Sequence, residues 1–208
     1  MATSEHVEKI AQLGDLVLQI GTSEKKILVS STVLINLSKV FAVLLGPNFK
    51  EGQTQRDATN PQTISLPDDD ATAMTHMCML LHCKVVPEFS NPGGNTTITQ
   101  NTRDNHSLRI LKLAMIIDKY DCVDVLRLQV NSLVWDNLDR FRNGGVATCR
   151  IANVAWMFQL PRAFRAATKQ IIREHAELPS LNESGLPMKV YCSSTYSLMN
   201  VQHIVPHR

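Results

Sequence analysis

The hydrophobic period of this chain is two at its start and helical over most of its remaining length. Leu16, Leu18 and Ile20 alternate with Val17 and Gln19, and the apolar triplet Ile27-Leu28-Val29 comes after the turn signal Gly21-Thr22-Ser23-Glu24. A period of two belongs to strands, so these two runs are predicted to form a hairpin. From Ser31 the spacing turns helical, with Val33, Leu34, Leu37, Phe41, Leu44 and Leu45 on one side. Ser38 interrupts that run, and a serine hydroxyl there predicts two short helices with the second capped by Ser38. Strand character returns only at Thr63–Leu66. Pro67-Asp68-Asp69-Asp70 then opens a helix to about Cys83, because carboxylates stabilise the unpaired N–H groups of a first turn.

Pro87, Asn91-Pro92-Gly93-Gly94 and a Thr/Asn-rich run predict a long mobile loop over 87–105. Helices are expected over Ser107–Tyr120, Val123–Leu138, Val146–Phe158 and Pro161–His175, the last with proline at its first position. An irregular tail is expected over 179–208. Strands early and helices late make this an α+β chain, with helices packed on a small sheet.

A length of 208 residues suits one domain, or one with an extension. With 44% hydrophobic residues and both charge signs present, the chain is neither disordered nor collagen-like. Five cysteines is an odd and sparse number, which argues against a disulfide scaffold. Glu5, Glu8 and Asp15 near the start argue against a signal or transit peptide. No apolar run approaches the ~18 residues a membrane span needs. The expected location is cytoplasm, nucleus or both, with no membrane contact. The Asn-x-Ser/Thr triplets at Asn36, Asn95, Asn105 and Asn182 are then chance matches.

No nucleophile elbow, phosphate-binding glycine loop, His-Glu-x-x-His or Cys-x-x-Cys pattern occurs in the sequence. The chain is therefore expected to be no enzyme and to need no cofactor. His76, Cys78, His82 and Cys83 form the one metal-like cluster. Cys78 and His82 share a helix face, but His76 and Cys83 lie elsewhere, so four ligands cannot converge from a straight helix. No metal is expected there, nor a cation at Asp68-Asp69-Asp70, where capping accounts for the acids.

Charge is unevenly distributed. Residues 1–139 hold 12 basic and 16 acidic side chains, whereas 140–175 hold 7 basic ones against Glu174 alone. At ~100° per residue, Arg162, Arg165, Lys169 and Arg173 fall on one face of the last helix, opposite Phe164 and Ile171. Such a stripe suits an acidic partner or a phosphate backbone. Trp156, Phe158 and Phe164 are expected in the helical core, which leaves few aromatics to stack on bases. A nucleic-acid-associated regulator is thus the alternative reading.

Several ordered pieces carry a resemblance. Asp15 precedes the apolar strand Leu16-Val17-Leu18. Leu34, Ser38 and Phe41 keep a four, eight and eleven spacing from Ser30. Phe49-Lys50-Glu51 comes next, then Ile64-Ser65-Leu66-Pro67-Asp68-Asp69-Asp70, and later Asp118-Lys119-Tyr120-Asp121-Cys122. Together these resemble a BTB/POZ domain, most of all those of fungal proteins. The resemblance implies a BTB/POZ fold over 12–135, a small sheet flanked by helices, with a helical extension over 136–178. It also implies a protein–protein interaction module that dimerises or recruits partners, some relatives being adaptors of cullin-type ubiquitin ligases. Asp15, Val33 and Leu37 are the interface residues it suggests. Ser30 stands at the family's His, and Ser31 at the basic residue that pairs with the early Asp in dimer-forming members. Asp15 is therefore expected to lack that partner. His82-Cys83-Lys84-Val85 stands where the family has Tyr-Thr-Gly.

Overall fold

Leu16, Leu18 and Ile20 are completely buried while Val17 and Gln19 are half-buried, so the alternation in the sequence is the alternation of a strand's two faces. A computed structural model describes residues 6–53, 56–90, 100–140 and 145–174. Its strands are β1 (Val7–Lys9), β2 (Leu16–Ile20), β3 (Lys25–Val29) and β4 (Gln62–Leu66). The early helices are α1 (Ser31–Leu37), α2 (Lys39–Leu44), α3 (Lys50–Gln53), α4 (Ala71–Leu81) and α5 (Pro87–Ser90). The late ones are α6 (Gln100–Lys119), α7 (Val123–Arg140), α8 (Val146–Met157) and α9 (Pro161–Glu174). The chain is α+β, with a small four-stranded mixed sheet among the described residues. None of the described helices is long and apolar enough to cross a membrane.

The sheet order is β1-β3-β2-β4. β2 and β3 form the expected antiparallel hairpin, in the register Leu16↔Val29 to Ile20↔Lys25. β4 joins β2 in parallel and β1 joins β3 in parallel, so the hairpin occupies the centre. Gly21 opens the hairpin turn at φ +68, a left-handed conformation that glycine adopts without strain.

Two compact units divide the chain: Met1–Pro92 with Met115–Leu126, and Gly93–Ala114 with Arg127–Arg208. The first unit holds the sheet and α1 to α5, with Leu34, Phe41, Met74, Met77, Ile117 and Tyr120 among its buried residues. In α4, seven of eleven residues are buried, including Thr75 and His76, so it is enclosed by protein nearly all round. In the second unit α8 buries Ala147–Ala155 apart from Arg150, and packs against α9. The boundary expected at 135/136 falls inside α7.

Two expectations are corrected. The long loop over 87–105 is helical at both ends, in α5 and from Gln100 onward. Pro87 lies at the first position of α5, where its missing N–H costs nothing. The polar residues 100–106 continue the same helix as the apolar residues after Ser107, adding one backbone bond per residue without a new nucleus. The acidic run is also not one cap: Asp70 alone caps α4, accepting from Thr72 N–H at 3.1 Å and Ala73 N–H at 3.0 Å. Residues 91–99, the middle of the expected loop, and the expected tail 179–208 lie outside the described residues.

Candidate interaction surfaces

Asp15 precedes β2, and its carboxylate caps the start of α1. It accepts from the Ser31 N–H at 2.7 Å and from the Ser31 hydroxyl at 2.6 Å. The residue standing in the basic position is itself Asp15's partner, through hydrogen bonds rather than a charge pair. Ser31 is buried and Asp15 half-buried, so this carboxylate secures the strand to the helix. Val33 and Leu37, four apart on α1, are half-buried. On α2 the apolar residues reach solvent: Val40 and Val43 are exposed, Val43 by 59%, and share a face at a spacing of three. Phe49 and Lys50 are also exposed, with Glu51 half-buried beside them.

The cysteine–histidine cluster has structural occupations. His82 Nδ1 lies 2.7 Å from the Cys78 carbonyl, and Nε2 lies 3.0 Å from the Ser30 N–H. A carbonyl only accepts and an amide N–H only donates, so the ring is the neutral tautomer protonated on Nδ1. His82 thereby joins the end of α4 to the start of α1. Burial holds its pKa below the ordinary value, with Lys84 adding to that effect and the Cys78 carbonyl opposing it. Cys78 lies 3.9 Å from Met74 sulfur to sulfur, and burial pushes its thiol pKa up, with Cys122 adding to the shift. His76 Nε2 lies 3.4 Å from Glu88, and its ring meets Phe89 edge-on at 5.2 Å. Among the described residues no three His, Cys, Asp or Glu side chains are grouped to hold a metal.

Asp69 has the role that sequence reasoning missed. Its buried carboxylate accepts from Lys119 Nζ at 2.6 Å and from the Tyr120 hydroxyl at 2.6 Å. The Tyr120 ring stacks on Phe41 at 4.7 Å, and the Tyr120 carbonyl accepts from the Ser38 hydroxyl at 2.6 Å. Ser38 also accepts from Phe41 N–H at 3.1 Å, so the predicted cap of α2 serves two elements at once. Lys39 pairs with Asp121 at 2.9 Å. The segment 119–121 therefore closes the β4–α4 junction and the α1–α2 junction together. Burial, then the bond to Asp69, pushes the Tyr120 phenol pKa up.

The last helix has the expected two sides. Arg162, Arg165, Lys169 and Arg173 lie outside the buried core, and form no ion pair among the described residues. Ala163, Ala167 and Ile171 are buried on the side facing α8, and Phe164 is half-buried. Of the other basic residues, Arg150 is engaged, donating to the Asp104 carbonyl at 2.8 Å and to Ser107 Oγ at 3.3 Å. Trp156 departs from expectation. Phe158 is completely buried, but Trp156 is 50% exposed on the surface of α8, its ring tilted against Phe164 at 5.6 Å. The buried run of α8 ends at Ala155, and the indole that follows stands at the surface.

The chain matches no protein-family model and no curated protein. Among the described residues each unit presents an exposed surface. In the first unit that surface is the apolar face of α2 with Phe49 beyond it. In the second it is the cationic row of α9, on the side of that helix opposite Phe164.

Proposed function

We propose that the chain is a non-enzymatic protein–protein interaction module of BTB/POZ type, which self-associates and recruits protein partners. The observation that carries this reading is the exposure of Val40 and Val43 on one face of α2. Solvent-facing apolar groups on adjacent turns gain free energy when covered, and such patches mark interaction sites. Val33 and Leu37, half-buried on α1, extend the apolar character of that region. The exposed Phe49 and Lys50, with Glu51, leave the Phe-x-Glu segment accessible, which fits recruitment of a partner such as a cullin-type ligase subunit. Asp15 contributes by fixing the start of α1, which presents Val33 and Leu37. Light scattering across a concentration series tests the self-associating half. A dimer mass is expected, and a strict monomer at the highest concentration would count against it.

A further inference from the structure

The start of α1 is held by two titratable side chains that come from two different parts of the first unit. The Ser30 N–H donates to His82 Nε2 at 3.0 Å, and the Ser31 N–H, next along the backbone, donates to Asp15 at 2.7 Å. Ser30 is also the residue on which the helix begins. Its hydroxyl accepts from the Val33 N–H at 3.5 Å and its carbonyl from the Leu34 N–H at 3.2 Å. The leading N–H groups of a helix have no acceptor within it, so these outside acceptors fix where α1 starts.

The two acceptors respond differently to protons. The Nδ1 hydrogen of His82 is committed to the Cys78 carbonyl at 2.7 Å, which leaves Nε2 as the ring's one acceptor. A proton gained there removes the acceptor and sets one N–H against another. Asp15 accepts with both oxygens, from the Ser31 N–H and from its hydroxyl, so its hold on Ser31 does not pass through His82. α4 packs on α1 and on β3. On the α1 side the acid at this junction is Asp15, already engaged by Ser31. β3 ends toward Ser30 in the buried, uncharged Ile27, Leu28 and Val29, with Lys25 and Lys26 at its far end. The end of α4 itself brings the buried Cys78 thiol, the exposed Cys83 and Lys84. Burial disfavours the imidazolium most, the Cys78 carbonyl favours it, and the charge of Lys84 disfavours it further. The neutral ring is the form that closes the junction, and acid opens it.

We infer that the start of α1 is an acid-released latch: protonation of His82 frees the Ser30 end of the helix from α4, while Asp15 keeps Ser31 tied to the start of β2. The freed turn is the one that leads to Val33 and Leu37. The inference does not depend on the interaction-module reading, because it concerns bonds within one chain and is read without a partner or an oligomeric state.

The test is NMR on the full, isotope-labelled chain, titrated from about pH 8 to about pH 5. His82 should show the tautomer protonated on Nδ1 at the upper end, and the Ser30 amide resonance should move with the same midpoint as the His82 ring. Hydrogen exchange at the Leu34 amide, taken relative to the intrinsic rate at each pH, should quicken by about tenfold across that midpoint, with the amides of β2 unchanged. His82→Gln has no titrating acceptor and should show no such step at Leu34. A Ser30 resonance that ignores the His82 titration, a ring that stays neutral until the whole chain unfolds, or the same Leu34 step in His82→Gln would each overturn the inference. So would loss of protection in β2 at the same midpoint, which would make the event unfolding of the unit rather than release of one helix start.

Discussion

The Tyr120 hydroxyl donates to the buried Asp69 carboxylate at 2.6 Å, across a sequence separation of 51 residues. Lys119 takes the other carboxylate oxygen, so a charge that would be costly to bury has a partner on each side. The same tyrosine stacks on Phe41 and receives the Ser38 hydroxyl at its carbonyl. One residue thus couples distant parts of the first unit.

Removing only the phenolic oxygen isolates that bond. Tyr120→Phe keeps the stack on Phe41 but leaves one oxygen of Asp69 without its donor in a buried setting. A loss of about 1–3 kcal/mol is expected. Urea unfolding of both proteins measures it, and an unchanged midpoint would deny the bond its structural role.

Asp15 and Ser31 predict a second loss. Asp15→Ala leaves the Ser31 N–H and hydroxyl without their acceptor at a buried helix start, with an expected cost of about 1–3 kcal/mol. Chemical denaturation reads this. A change in association with no change in stability would instead make Asp15 a contact residue.

His82 sets a pH dependence. Its folded-state pKa lies below the ordinary value near 6.5, so the folded state binds this proton less readily than the unfolded state. Its contribution to stability is fully present above about pH 6.5 and is lost as pH falls through the folded pKa. Protonation of Nε2 also turns the acceptor of the Ser30 N–H into a donor. Unfolding curves from pH 8 downward should show wild type losing more stability below this point than His82→Gln. Parallel curves for the two proteins would contradict the assignment.

Much of the first unit is legible in its sequence because its signals are local. The alternation at 16–20 and the hydroxyl of Ser38 specify a strand and a cap without help from distant residues. β1 is different: Val7-Glu8-Lys9 has one apolar residue and is held by pairing with β3, so nothing local announces it. α3 is four residues long and contains Gly52, too short for any period to show. In the candidate surfaces, the cationic row of α9 is readable from spacing alone. The role of Asp69 is not, because Lys119 and Tyr120 reach it only through tertiary structure. Trp156 misleads because hydrophobic size suggests burial, whereas its place on α8 leaves the ring half-exposed.

The two sides of α9 predict opposite responses. Ala167 is completely buried on the side facing α8, so Ala167→Leu overpacks that side at an expected cost of about 1–3 kcal/mol. Arg165→Ala and Lys169→Ala, on the cationic row, should stay within about 0.5 kcal/mol. Thermal unfolding of the three variants checks the assignment, and similar losses in all three would refute it.

The proposed module depends on self-association through the apolar face of α2. Sedimentation velocity of the wild-type chain beside the double variant Val40→Asp/Val43→Asp measures this. A wild-type dimer and a folded, monomeric variant are expected. A wild-type chain that stays monomeric at high concentration, or a variant that remains dimeric, would contradict it.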